Sequence, residues 1–391
     1  MPSPYRQHWQ IDPQLTYLNH GSFGACPAPV LEFQSELRKR MESSLVRFMA
    51  RELEAQLDEA RAVLAEFVGA EPENVAFVPN ATSGVNAVLR SMDLNAGDEI
   101  LITDHGYNAC NNAVNFVTER ARARTVVAHL PFPIESPSQA IDAVLSKVTA
   151  RTRLALIDHI TSATGLILPI SELIEALRER GVETLVDGAH APGMLELDIE
   201  RWNPAYYTGN CHKWPCAPKG AAFLWVRPEL QASVRPSVIS HGANSKRTDR
   251  SLFLQEFDWT GTSDPTAILS IPKALSFMGS LMDGGWPALR EHNHRMLLAG
   301  AAKVQSALGV SPAAPDTMLG SLASIPLPEG GEAGPSSAFD VNPLQRRLFD
   351  EHAIEVPVMW SEAAGRNLIR ISAQAYNDPS EYEKLAQVLG S

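Results

Sequence analysis

The stretch "TLVDGAHAPGMLELDIERWNPAYYTGNCHKWPCAPKGAAFLWV", residues 184–226, decides how the chain folds. It contains three short runs rich in β-branched, aromatic and aliphatic residues: "TLVD" (184–187), "AYYTG" (205–209) and "AAFLWV" (221–226). The first ends in a carboxylate, Asp187, followed by Gly188. The second runs into "NCHKWPCAPKG", where Lys213 stands among small polar and aromatic residues, away from any solvated helix face. Apolar runs of this length, bounded by turn residues, read as strands covered on both faces.

The same pattern extends upstream. "VAFVP" (75–79), "EILIT" (99–103), "RTVVAHL" (124–130) and "RLALIDHI" (153–160) are further β-rich runs. Helix-like segments separate several of them, among them "GVNAVLRSM" and "PISELIEALRERG", the latter closed by Gly181. Residues 30–68 read as helical, with apolar positions three and four apart in "ELEAQLDEARAVLAEFV". Alternating β and α segments predict an α/β fold with a doubly wound, mostly parallel seven-stranded sheet. After about residue 280 the pattern changes to a long helix, a surface loop at 327–338 and a closing strand and helix. This predicts an N-terminal arm (1–30), a large domain (31–280) and a smaller α+β C-terminal domain (281–391) on which the arm packs.

Composition narrows the function. The 391 residues are 45% hydrophobic and 20% charged, which is ordinary for a globular chain. The net charge of −12 argues against a nucleic-acid or anionic-membrane partner. Arg38-Lys39-Arg40 reads as a solvated helix face. No run of about 18 apolar residues predicts a membrane span, and "MPSPYRQHWQ" lacks the apolar core of a signal peptide, so a cytoplasmic location is expected. Four cysteines, Cys26, Cys110, Cys211 and Cys216, are too few for a disulfide framework. Cys211, His212 and Cys216 lie close together, but no second pair completes a tetrahedral set, so no metal site is expected.

Most strands end in polar residues: Asn80, Asp104, His159, Asp187 and Asn210. Ligands of open α/β sheets bind outside these carboxyl ends. In "VPNATSGVNAVLRS" a strand runs through Asn80, Thr82, Ser83 and Gly84 into a helix, which suits a phosphate or is simply a capped helix start. Asp187 either holds a proton on a heterocyclic nitrogen or is a turn aspartate. In "DHGYNAC", His105 and Tyr107 follow a strand directly, and a ring there either stacks on a flat cofactor or belongs to the core. Lys213 on a loop at the ligand edge is partly desolvated, which lowers its pKa and frees the amine, although lysines also snorkel or contact phosphate. Lys219, its neighbour in a Pro-Lys-Gly turn, is the weaker candidate. Together, a phosphate turn, a stacking ring, an aspartate for a ring nitrogen and a lysine for an aldehyde are what pyridoxal 5′-phosphate requires.

"YLNHGSFGACP", "NATSGVNAVLRS", "DHGYNAC", "LVDGAHAPG" and "YYTGNCHKWPCAPKGAAFLWV" together resemble the class V aminotransferase group of fold-type I pyridoxal-phosphate enzymes, and within it isopenicillin N epimerase-like proteins. The resemblance implies a homodimer with active sites shared between subunits and a small amino-acid substrate. Lys213 would be the Schiff-base lysine, Asp187 the partner of the pyridine nitrogen and His190 that of the phenolic oxygen. Ala81, Thr82, Asn210 and His212 would hold the phosphate, with Thr262 reaching the phosphate of the partner subunit. Ser162 would sit near the ring, Arg370 would clamp the substrate carboxylate, and Asn19 and His20 would line the substrate side. The resemblance leaves open which of His105 and Tyr107 stacks. In the related cysteine desulfurases a persulfide-forming cysteine precedes the carboxylate-binding arginine. The stretch "HAIEVPVMWSEAAGRNLIR" has none, which argues against sulfur transfer by that route.

The leading expectation is therefore Cα-proton abstraction by Lys213 with Tyr107 or His105 as the second acid, giving an epimerase or racemase. A C–S lyase of the hercynylcysteine sulfoxide lyase kind uses the same groups, and an aminotransferase is a third possibility. A protein that binds the cofactor without catalysis would tend to lose Lys213, Asp187 or Arg370, and all three are present. A nicotinamide oxidoreductase is disfavoured because no G-x-G-x-x-G follows the first strand. Side-chain specificity is expected in the arm and in 240–262, where Arg247 or Arg250 would meet a distal carboxylate.

Overall fold

In the computed structural model, residues 3–328 and 341–390 are described. Most of the loop expected at 327–338 lies outside them. Twelve strands are formed among the described residues: β1 Thr16–Tyr17, β2 Val75–Val78, β3 Glu99–Thr103, β4 Arg124–Ala128, β5 Thr152–Asp158, β6 Glu183–Asp187, β7 Tyr206–Asn210, β8 Ala222–Val226, β9 Leu322–Pro326, β10 Ile354–Glu355, β11 Val358–Ser361 and β12 Arg366–Ser372. Strands β2 to β8 form one seven-stranded sheet in the order β2-β8-β7-β6-β5-β3-β4. Only β8 runs antiparallel to its neighbours.

The near-continuous apolar character of these strands follows from burial on both faces. Ala155, Ile157, Val186, Tyr207 and Phe223 enter one core. Leu154, Leu156, Leu185, Tyr206 and Leu224 enter the other, beneath the helices Ala81–Ser91 and Asn108–Ala121. Because side chains alternate along a strand, this parity also sorts the polar residues at the strand ends. Asp158 and Asp187 fall on the face of Leu156 and Leu185, whereas His159 falls on the opposite face.

The expected helix over 30–68 is two helices, Ala28–Ser43 and Leu53–Val68, joined through a short helical segment and a π-turn at Phe48–Glu52. The break comes at Ser44, whose backbone leaves the helical region at φ −159° and ψ 71°, beside the weak helix former Ser43. Leu45 and Val46 stand exposed beside it.

The C-terminal part builds a three-stranded antiparallel sheet, β11-β12-β9, covered by the helices Gly285–Leu308 and Pro379–Leu389. The first strand of the chain joins this part: β1 pairs in parallel with β10, Tyr17 facing Glu355. Leu18 enters the C-terminal core beside Ile325, Ile354 and Ile371. No helix among the described residues is long and apolar enough to cross a membrane.

Candidate active site

At the carboxyl ends of the sheet, helix Ala81–Ser91 begins directly after β2. The Asn80 side chain caps it by accepting from Ser83 N–H at 2.8 Å. Asn210, the last residue of β7, reaches across and accepts from Ala81 N–H at 2.9 Å. The close approach of helix to strand requires Gly84: a Cβ there would lie 2.4 Å from Thr208 Oγ1.

Lys213 lies on the loop after β7. Its Nζ is 3.0 Å from His190 Nε2. The Trp214 indole N–H donates to His190 Nδ1 at 3.4 Å, so Nδ1 is an acceptor. Burial keeps the imidazole neutral, its pKa well below the usual value. A neutral ring that accepts at Nδ1 carries its hydrogen on Nε2. In that tautomer Lys213 Nζ accepts from His190 once the amine is uncharged. Burial, with Arg370 nearby, lowers the Lys213 pKa to about 8, so the amine is freed as pH rises past that value rather than at the ordinary lysine range.

His20 departs from expectation. Its ring is completely buried behind the lysine loop, where Nε2 donates to the Lys213 carbonyl at 3.1 Å and Nδ1 accepts from the Tyr376 hydroxyl at 2.8 Å. It braces the loop and does not line the substrate side.

Asp187 Oδ1 accepts from Ala189 N–H at 3.0 Å, and Oδ2 accepts from the Cys110 thiol at 3.2 Å. Burial raises its pKa. No ion pair is formed by Asp187 among the described residues, so a cationic ring nitrogen would suit it. His212 donates from Nδ1 to the Ala221 carbonyl at 2.9 Å, leaving Nε2 as the lone-pair nitrogen. Burial lowers its pKa to about 4, and a phosphate dianion would draw a proton back onto Nε2.

The structure separates the two ring candidates. His105 is enclosed, with Nδ1 2.7 Å from Thr164 Oγ1 and its ring edge-on to Phe132. Tyr107 remains 44% exposed at the start of helix Asn108–Ala121, within the electrostatic reach of Asp187 and Arg370. Burial of its hydroxyl raises its pKa and keeps it protonated.

Arg370 on β12 is 4% exposed, yet it forms no ion pair among the described residues. Nη1 donates to the Ser162 carbonyl at 2.6 Å and lies 3.4 Å from Ser162 Oγ. Nη2 donates to Ser22 Oγ at 2.8 Å, and Nε has no partner. Burial lowers its pKa to about 10. A buried guanidinium held only by neutral groups is a receptor for a carboxylate. Ser162 thus serves Arg370. Asn19 supports the same group, its Oδ1 accepting from Ser22 Oγ at 2.5 Å while its Nδ2 donates to Glu355 at 3.3 Å.

Three expectations fall away from the site. Arg247 pairs with Glu54 and Asp249 at 2.7 Å, and Arg250 pairs with Asp58 at 2.8 Å and with Asp258. Both fasten the 240–258 segment to helix Leu53–Val68 and are not free for a distal carboxylate. His159 faces away beneath the sheet, Nδ1 2.8 Å from the Tyr207 hydroxyl. Asp104 holds the β4 end by accepting from Leu130 N–H at 3.0 Å. Four residues not singled out by sequence also enter: Ser22, Cys110, Asp158 and Trp214. Of these only Asp158 had a visible signal, a second acidic strand end in "RLALIDHI".

A buried lysine of lowered pKa, a buried unpaired carboxylate, a capped helix turn and an arginine without an ion pair among the described residues, at the strand ends of this sheet, fit a pyridoxal-phosphate enzyme. The comparisons agree. Residues 21–385 match the family described as Aminotransferase class-V. The chain is 33% identical to the isopenicillin N epimerase of Amycolatopsis lactamdurans, over 98% of this chain and 96% of that protein. It is 30% identical to a probable chloroplastic L-cysteine desulfhydrase of Arabidopsis thaliana, over 97% of this chain and 83% of that one. In fold it is similar to the cystine C-S lyase C-DES in complex with its product cysteine persulfide, with a TM-score of 0.80, 22% identity and coverage of 97% and 98%. The chain belongs to the class-V aminotransferase family, and its cofactor is pyridoxal 5′-phosphate.

Proposed function

We propose that this enzyme moves the Cα proton of an amino-acid substrate between Lys213 and Tyr107, in the manner of an epimerase or racemase. The observation that carries the reading is the enclosed Lys213 amine, its pKa lowered by burial and its Nζ 3.0 Å from His190 Nε2. When bound, the cofactor draws electrons from the Cα of the amino acid it carries and makes that C–H bond acidic. Lys213 Nζ is then the base. Tyr107, protonated and partly exposed, is the acid that returns a proton from the other side. Asp187 would hold the ring nitrogen and His190 the phenolic oxygen. Thr82, the Asn210-fastened turn at Ala81 and His212 would hold the phosphate. Arg370, set by Ser162, Ser22 and Asn19, would orient the substrate carboxylate.

A second reading, C–S lyase, is favoured by the desulfhydrase relatives and by the cysteine-free stretch 352–370. Sulfur leaving Cβ would depart free, since no thiol stands there to receive it. In this reading Lys213 acts alone.

The homodimer belongs to the same proposal. Val238 and Ile239 are exposed near a cavity of about 390 Å³ beside the phosphate turn, lined in part by Ser83, Lys219, Thr260 and Ser263. Thr262 is exposed next to it. A second copy would cover these groups and receive Thr262 at its phosphate.

The test is incubation of the cofactor-loaded protein in heavy water with L-amino acids and cysteine conjugates. Deuterated D-product without ammonia supports the epimerase. Oxo acid and ammonia from sulfur-bearing substrates alone supports the lyase. Oxo acid formed only with an added amino acceptor would replace both with transamination. Tyr107→Phe retaining the full epimerisation rate would remove Tyr107 from the mechanism.

A further inference from the structure

Asp158 and Asp187 end adjacent parallel strands and stand in register, Cα partner to Cα partner. Strand parity puts both side chains on the same face, beneath helices Ala81–Ser91 and Asn108–Ala121. Adjacent strands are about 4.8 Å apart, so side chains in register are neighbours. Asp158 is 4% exposed and Asp187 is 3% exposed. Neither forms an ion pair among the described residues. Lys213 is the cation near them, and one such charge does not offset two ionised carboxylates in a buried place, so the stable state of the pair holds one proton.

The surroundings of the two carboxyl groups bear on where the proton resides. Asp187 accepts two donors, Ala189 N–H and the Cys110 thiol. Asp158 receives the Tyr107 and its own backbone N–H, and no side-chain donor. The remaining groups facing the pair are Lys213 from the loop after β7 and Thr82, whose hydroxyl meets Cys110. Each carboxyl group thus has two donors, and the cationic ring nitrogen that Asp187 would meet is what favours the charge on Asp187. Burial and Asp187 raise the pKa of Asp158 well above the carboxylate range, in the same direction.

We infer that Asp158 and Asp187 form one two-carboxyl unit in which Asp158 carries the proton and donates it to Asp187, keeping Asp187 the anion that meets the cofactor's ring nitrogen. Asp158 is a positioning residue, and it rests on the reading of Asp187 as the ring-nitrogen partner. It acts from beneath the cofactor and has no contact with substrate.

The linkage sign gives a test without cofactor. A carboxyl group whose folded pKa is raised makes stability fall as pH rises from its unfolded value, about 3.9, towards its folded value. Asp158→Asn copies the protonated form and removes that loss. In the apoprotein, Asp158→Asn is expected to melt no lower than wild type at about pH 8, with its relative advantage shrinking towards about pH 5. Infrared spectra of the wild-type apoprotein at neutral pH are expected to show an un-ionised carboxyl band that Asp158→Asn removes. Asp158→Asn is expected to keep pyridoxal-phosphate affinity within about threefold, while Asp158→Ala, lacking the donor, loses roughly tenfold.

Absence of the band in wild type, or its survival in Asp158→Asn, overturns the inference. So does a loss of cofactor affinity in Asp158→Asn as large as in Asp158→Ala. Should Asp158→Asn not fold, the wild-type band decides by its presence at neutral pH and its loss on alkaline titration. Asp187→Asn separates the parent reading. If that variant keeps wild-type affinity and absorbance of the bound cofactor, the ring-nitrogen role fails, whatever the infrared band shows.

Discussion

Lys213 and Arg370 are two enclosed cations, neither in an ion pair among the described residues, and the burial of each makes the apoprotein less stable than it would otherwise be. For Lys213 the folded pKa, about 8, lies below the unfolded value, about 10.4. The folded chain binds fewer protons between these values, so the penalty is full below about pH 8 and fades as pH rises towards 10.4. Lys213→Met is expected to stabilise the apoprotein by roughly 2 kcal/mol near pH 7, after discounting for partial exposure, and to lose that gain by about pH 10.5. Denaturant melts at the two pH values check this, and the same variant should no longer acquire the yellow colour of lysine-bound cofactor. For Arg370, removal of a charge-assisted bidentate contact costs about 1.5–3 kcal/mol, or roughly ten- to hundredfold. Arg370→Gln should raise KM by that factor and change kcat less, as steady-state kinetics will show. Both residues were legible in the sequence, Lys213 because a lone lysine follows a strand at the ligand edge and Arg370 through family resemblance. Asp158 was not, because its meaning depends on register with a strand some 30 residues away. His159, chosen from the same strand end, faces the other way by one step of the pleat.

At the scale of elements, the seven strands lie within one or two residues of their sequence-based positions. Their apolar runs are short, separated by turn residues and buried on both faces, which leaves little freedom of placement. The helix over 30–68 was misjudged in its middle, because periodicity continues through a π-turn that no single residue announces. The packing of helix Ala81–Ser91 on β7 was likewise invisible, although Gly84 marked it. A methyl group at Gly84 would collide with Thr208 Oγ1. Gly84→Ala is expected to lower stability by about 1–3 kcal/mol and weaken cofactor binding by displacing the turn. Adding Thr208→Ala should restore part of both. If the double variant is no better than Gly84→Ala, the collision is not the cause.

The molecule as a whole presents Leu45, Val46, Val238 and Ile239 to solvent. On the dimer reading, Val238→Asp should shift sedimentation towards the monomer and reduce cofactor affinity together, because Thr262 of one copy would serve the phosphate of the other. A monomer with undiminished affinity would mean that each chain holds its phosphate unaided.

The pairing of Tyr17 with Glu355, and of Arg370 with Ser22, sets an order on biosynthesis. Asp187, Lys213 and the turn at Ala81 emerge from the ribosome well before Arg370, while the arm that bears Asn19 and Ser22 emerges first and must wait for its partners. On the proposed reading, a chain growing at about 5–20 residues per second would hold the residues assigned to the cofactor for some seconds before those assigned to the amino acid are complete. On that reading, amino-acid chemistry would wait until β12 brings Arg370 to the segment that bears Asn19 and Ser22.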